Sequence, residues 1–235
     1  MWENRIASGK LVVVKQLIVV SVLLGIWLLI FLDSAGYISV RAWIFLGASF
    51  LHSTSGIVVQ YKLNPQLLAV RLTVKRAGSK VWDEILMRVT NLTAIIAAPV
   101  FAGLDVGRFH WPTLDPLFIA VGLLLLAVST ILLNWTMAVN PHFEVTVRIQ
   151  TDRDHKVITS GPYKYVRHPG YLAGIIYIIS VPLVVGSVFA FIPVGLYIVF
   201  IMLRTSLEDL TLGRELDGYA SYTEHVKYRL FPGVW

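Results

Sequence analysis

Long apolar runs alternate with short polar stretches along this chain of 235 residues. A helix that crosses roughly 30 Å of hydrocarbon needs about 20 mostly apolar residues. Leu11–Leu32 meets that need, with Lys15 and Gln16 near its entry. It is longer than the h-region of a signal peptide, which predicts an uncleaved anchor helix. Ile38–Val59 follows, weakened by Arg41 near one end and by His52, Ser53, Thr54 and Ser55 inside. Ile85–Leu104 is the third run and Leu117–Val139, the clearest, is the fourth. Tyr171–Leu203 has 33 residues, too many for one crossing, and Val185-Gly186-Ser187 interrupts it. Pro182 and Gly186 predict a tight turn there. The pattern predicts an all-α integral membrane protein with five to six membrane helices, the last pair forming a helical hairpin.

Composition agrees with that class. Hydrophobic residues make up 56% and charged residues 14%, against roughly 45–50% and about 25% in a soluble domain. A soluble globular enzyme and a disordered chain are both excluded. With no Cys, disulfides, zinc–thiolate sites and Cys nucleophiles are excluded as well. Of the 20 Lys and Arg, 16 fall in segments 1–10, 61–84, 140–168 and 204–235. Arg41 and Arg108 alone fall on the opposite side. The positive-inside rule predicts cytoplasmic termini and cytoplasmic long loops, the topology of a multi-pass protein of a prokaryotic inner membrane. The net charge of +6 then reflects loops beside anionic membrane lipid, and no nucleic-acid partner is expected.

Polar residues concentrate in 140–171 and 204–232, the two segments that flank the hairpin. A hairpin brings its ends together, so these segments are expected to meet at the membrane surface. Two His, one Arg and three Tyr fall within the 17 residues from His155 to Tyr171. Tyr and Arg favour the headgroup region in any membrane protein, which accounts for Tyr163 and Tyr165 but not for His155 or Arg167-His168. Carboxylates at ligand spacing on a shared helix face are missing, so no metal is expected. Helical spacing puts Arg204, Glu208, Thr211, Glu215, Tyr219 and Tyr222 on one stripe. Arg204 and Glu208 read either as an i, i+4 ion pair or as functional charges at the bilayer boundary. Asp209, Arg214, Asp217 and Glu224 read as solvated surface.

The run His155-Lys156-Val157-Ile158-Thr159-Ser160-Gly161-Pro162-Tyr163, followed by Arg167-His168-Pro169-Gly170-Tyr171, resembles the signature of the isoprenylcysteine carboxyl methyltransferase family. Arg204-Thr205-x-x-Glu208, with Tyr219 and Tyr222 downstream, resembles its second motif. The resemblance covers roughly 145–232 and points to a prokaryotic branch. It implies N-terminal membrane helices over 1–140 and a methyltransferase region over 141–235. It also implies S-adenosylmethionine as cofactor, bound on the cytoplasmic side, and a lipophilic or prenylated acceptor, most directly the carboxylate of an isoprenylcysteine-like or other lipid-linked acid. By position, the family's cofactor residues fall on Gln150, His155, Val157, Ile158, Tyr163, His168, Pro169, Gly170 and Tyr171, with Glu208 closing the site. Arg204 takes the position that meets the substrate. Gly170 stands where the family often has a seryl residue, a change that a backbone contact survives.

The residue types suit that chemistry. Tyr163 and Tyr171 offer faces for a sulfonium or an adenine. His155 or His168 can donate to a cofactor carboxylate, and Glu208 can accept from an ammonium or ribose. A carboxylate acceptor is ionised at pH 7 and needs orientation rather than a base, which a forked guanidinium at Arg204 supplies. Competing readings are a lipid-amine N-methyltransferase, an NADPH-dependent oxidoreductase of the sterol-reductase-like group, and a non-catalytic membrane protein or transporter. The chain carries no Gly-x-Gly-x-x-Gly fingerprint, although the sterol-reductase-like group does not need one, and it shows no repeat, which weakens the transporter reading.

Overall fold

A computed structural model describes residues 2–71, 78–111 and 113–235. Lys75 and Arg76, counted above with the basic loop 61–84, lie outside the described residues. Helices follow one another as α1 (Trp2–Ala35), α2 (Val40–Leu63), the short α3 (Pro65–Val70) and α4 (Val81–Asn91). The last of these runs on through a π-turn (Leu92–Ala97), α5 (Ala98–Gly103) and a second π-turn (Leu104–Arg108). Then come α6 (Leu117–Val139), α7 (Pro169–Val185), α8 (Phe191–Glu215) and α9 (Tyr219–His225). No strand occurs among the described residues.

Five helical segments are long and apolar enough to cross a membrane: Lys10–Leu32, Val40–Leu63, Val81–Arg108, Leu117–Val139 and Phe191–Glu215. The protein is a multi-pass, all-helical membrane protein. Large apolar side chains such as Leu51, Leu124 and Ile131 are exposed on these helices, as lipid-facing surface requires. The third span is 28 residues long and begins at Val81 rather than Ile85. That shift brings Asp83 into its first turn.

The hairpin forms where the sequence breaks. Gly186 caps α7 at φ +90°, a conformation open to glycine and strained for other residues. At 17 residues and 1.5 Å per residue, α7 spans about 25 Å, short of the roughly 30 Å of hydrocarbon. It is also the helix at the centre of the core, where Ile178, Val181, Val184 and Val185 pack against Trp27 and Phe31 of α1, Phe45 of α2 and Leu126 of α6. Gly122 of α6 makes this possible, since a Cβ there would lie 2.6 Å from Val184 Cγ2 and 3.0 Å from its backbone nitrogen.

The polar residues that weaken α2 bond to its neighbours. His52 Nδ1 lies 2.7 Å from Thr130 Oγ1. Asn134 Nδ2 donates to Ser55 Oγ (2.9 Å), and Tyr177 OH donates to Ser49 Oγ (3.0 Å). Such side chains join helices where water is excluded.

The hairpin sorts the loops into two ends. At the turn end, Ser187 Oγ (2.6 Å) and the Phe189 N–H (3.0 Å) donate to Oδ2 of buried Asp105. Arg41 Nη1 donates to the Leu114 carbonyl (2.8 Å), and the Leu114 N–H donates to Gly186 O (3.0 Å). At the other end meet the start of α4, loop 140–168 and the segment after α8. The Lys80 N–H donates to Val147 O (3.1 Å), and Lys80 pairs with Glu215 (2.7 Å). The two polar clusters and their basic residues therefore share one end, as the charge pattern implies.

Candidate functional site

Loop 140–168 has little regular structure and is held by its own charges. Arg148 bridges Glu144 (2.8 Å) and Asp152 (2.7 Å), and those hydrogen bonds raise its already high pKa. Arg153 donates to Glu144 (3.3 Å), to Gln150 Oε1 (3.1 Å) and to the Pro141 carbonyl (2.9 Å). The buried Gln150 amide donates to His142 O (2.7 Å). Gln150 thus braces the loop as well as facing the site. Farther on, Gly161 opens a 3₁₀ turn at φ +59°, where a Cβ would lie 2.9 Å from Trp135 Nε1. That turn buries Tyr163, whose hydroxyl accepts from Asn140 Nδ2 (2.6 Å). Burial raises the Tyr163 pKa.

These elements enclose a cavity of about 300 Å³. Gln150, His155, Val157, Ile158 and Tyr163 line it from the loop. His168, Gly170 and Tyr171 line it from the start of α7, and Arg204 and Glu208 from α8. Every site residue expected from the sequence is there except Pro169, which is buried at the first position of α7, the place in a helix where proline fits best. Met87, Asn91 and Leu133 add wall from the membrane helices. At Gly170 a Cβ would lie 2.4 Å from the Phe143 ring, so that ring closes over the glycine. Arg71 sits over the other side of the site's edge, 5.2 Å from the Phe143 centroid. Burial draws its pKa down to about 10.

Hydrogen bonds set the two histidines differently. His155 Nδ1 accepts the Gln150 N–H (3.3 Å). Its proton therefore sits on Nε2, leaving a donor for a ligand. Burial, assisted by His142 and Arg148, pushes its pKa down to about 4, so the ring is neutral at pH 7. His168 instead commits its Nε2–H to Asp209 Oδ1 (3.2 Å), and its Nδ1 lies 3.9 Å from Glu208 Oε2. Of the two, His155 is the one with a free donor.

Asp209 reads as surface in the sequence, yet it is only 9% exposed. Besides His168 it accepts from Arg167 Nη2 (3.0 Å), Arg229 Nε (3.0 Å) and Tyr219 OH (2.8 Å). These donors come from loop 140–168, α7's cap, α9 and the segment beyond it. Burial and the Asp209 charge hold the Tyr219 hydroxyl protonated. The expected stripe also ends early. Helix α8 stops at Glu215, which is exposed, and Tyr219 and Tyr222 return from α9. Tyr222 OH donates to Tyr163 O (2.7 Å).

The second unforeseen acid is Asp83, fully buried in the first turn of α4. Arg204 donates to it from Nε (2.6 Å) and Nη2 (3.2 Å), and Nη2 also donates to Val145 O (2.7 Å). The i, i+4 ion pair with Glu208 does not form. Instead Glu208 accepts from Tyr171 OH (2.5 Å), and Arg204 lies over the Tyr171 ring at 5.2 Å. Among the described residues Nη1 of Arg204 has no hydrogen-bond partner, so one edge of the guanidinium remains for the cavity. The sequence does carry a signal for Asp83: an acid two residues ahead of an apolar run is unusual at membrane depth.

Residues 120–214 match the isoprenylcysteine carboxyl methyltransferase (ICMT) family. No curated protein matches the chain. The ICMT match takes in α6, the loop, the hairpin and nearly all of α8, and with them His155, Tyr163, His168, Tyr171, Arg204 and Glu208. It supports a membrane methyltransferase of the isoprenylcysteine carboxyl type. Asp83 and Tyr219 lie outside the matched residues.

Proposed function

We propose that the protein transfers a methyl group from S-adenosylmethionine to a lipophilic acceptor, most directly the carboxylate of an isoprenylcysteine-like or other lipid-linked acid. The observation that carries this reading is the convergence of the His155–Tyr171 run with Arg204 and Glu208 around one cavity, to which Met87, Leu133 and Phe143 add apolar wall. At about 300 Å³ the cavity is at the lower end of ligand-site volumes. Its donor set suits the cofactor. Neutral His155 offers an Nε2–H to a carboxylate, Glu208 offers an acceptor to an ammonium or ribose, and Tyr163 offers an aromatic wall. When bound, S-adenosylmethionine supplies an electrophilic methyl on a sulfonium. The acceptor oxygen takes that methyl as the C–S bonding pair stays on sulfur, so an anion and a cation become an ester and a thioether.

Loss of charge in that step favours a water-poor site. Phe143, Met87 and Leu133 exclude water from the membrane side. Arg204 orients the acceptor through Nη1, a single prong rather than the fork expected from the sequence, because Asp83 occupies the other edge. The reading also places the loop end in the cytoplasm, in keeping with its share of basic residues.

The test is thermal unfolding of the purified protein in detergent. S-adenosylhomocysteine at 100 times its Kd should stabilise by about 2.7 kcal/mol, and His168→Ala should remove most of that gain. Radiolabelled methyl from S-adenosylmethionine should appear in a lipid extract. Stabilisation by NADPH with no response to S-adenosylhomocysteine would overturn the reading in favour of an oxidoreductase.

A further inference from the structure

Arg204 and Glu208 stand one turn apart on α8, the spacing at which a cation and a carboxylate commonly join. They remain apart because three groups hold the guanidinium elsewhere. Asp83 accepts from Nε and Nη2, Val145 O accepts from Nη2, and the Tyr171 ring lies beneath. Glu208 is held by Tyr171 OH. We propose that Asp83 is a positioning residue that keeps Arg204 off Glu208, so that both charges stay available to ligands in the cavity. The inference rests on the methyltransferase reading and adds to it a residue from outside the ICMT match.

Several features argue for it. Asp83 is fully buried, and a buried carboxylate is tolerated only when paired. Its pairing is complete, since Oδ2 also accepts the Val147 N–H (2.8 Å). That bond ties the aim of Arg204 to the same loop that carries Gln150 and His155. A brace serving stability alone could sit anywhere in the bundle, but this one fixes a side chain that lines the cavity. Without the Asp83 charge, Glu208 becomes the nearest carboxylate to Arg204. Rotation about the Arg204 side chain then forms the i, i+4 pair, which removes the acceptor's prong and the cofactor's acceptor in one movement.

Asp83→Asn tests this in the full-length protein, because Asn preserves the shape and most hydrogen bonds while removing the charge. Two quantities are read per folded molecule: affinity for S-adenosylhomocysteine by calorimetry, and kcat for methyl transfer into a lipid extract. The expected result is a several-fold weaker affinity and a kcat reduced at least tenfold. Wild-type affinity and kcat, even with a lower unfolding temperature, would reduce Asp83 to a structural brace and overturn the inference. If Asp83→Asn gives no folded protein, Asp83→Glu keeps the charge and tests the positioning alone. Its extra methylene displaces the guanidinium by roughly 1 Å, a shift large enough to cost a positioned reaction heavily, and wild-type kinetics there would equally overturn the inference. A wild-type protein that neither binds S-adenosylhomocysteine nor transfers methyl overturns the function and the inference together.

Discussion

The two ends of the helical bundle use similar parts for different purposes. At the hairpin turn, Asp105, Arg41 and Ser187 satisfy backbone groups of Phe189, Leu114 and Ala190 beside the end of α7. The small gap there measures about 10 Å³, room for about one water at most. At the loop end, Asp83, Arg204, Asp209 and Arg167 are buried too, but Arg204 and Arg167 line a cavity of about 300 Å³. Buried charge is thus no mark of function by itself. What separates the ends is the room beside the network. The turn end closes on itself and leaves Arg41 Nη2 buried without a partner, whereas the loop end sets Arg204, His155 and Glu208 around an open cavity.

Substitutions at the two ends should therefore separate stability from ligand response. The largest effect is expected for Arg204→Ala, which leaves Asp83 buried and unpaired. Losing one partner of a buried pair costs about 3–5 kcal/mol, and denaturant unfolding should show that loss together with the loss of methyl transfer. A smaller effect is expected for Asp105→Ala, which strands the Ser187 hydroxyl and the Phe189 N–H at about 1–3 kcal/mol. Its remaining folded protein should respond to S-adenosylhomocysteine like wild type. A lost response would mean that the turn end communicates with the cavity and that the contrast drawn here is wrong.

The smallest effect is one of pH. His155 has a folded-state pKa of about 4 against an ordinary 6.5. The unfolded chain therefore takes up its proton first as pH falls. The contribution of this histidine to stability is complete above about 6.5 and is lost progressively toward 4. His142, whose ring is tilted against it at 4.6 Å and whose pKa is also lowered by burial, acts in the same direction, while Glu144 opposes both. Melting temperatures of wild type and His155→Asn should converge between pH 7 and pH 4.5. Parallel curves would show that His155 is not the group that titrates.

The bundle was legible because membrane helices announce themselves one at a time. Each apolar run carries its own length requirement, and Gly186 marks the hairpin through backbone geometry that its immediate neighbours reveal. The site was legible in the same local sense, since His155 to Tyr171 is one continuous stretch and Arg204 with Glu208 another. Asp83 and Asp209 escaped for a common reason. Their partners lie on other elements, and a charge at the end of an apolar helix looks solvated until the packing is known. The Arg204–Glu208 ion pair fails for the converse reason, because a local rule meets a stronger partner that is remote in sequence. The two π-turns of the third span left no trace in the hydrophobic pattern either, since an extra residue per turn keeps the stretch apolar.

Gly122 sets how the bundle is sealed. With a hydrogen in place of a side chain, α6 touches the backbone of α7 near Val184. That pair of helices is a wall at the turn end. Toward the loop end the walls part, and Met87 and Asn91 of α4 face Leu133 of α6 across the cavity. The helix that supplies this lining also carries Asp83 in its first turn, so one span contributes both apolar wall and the carboxylate that holds Arg204.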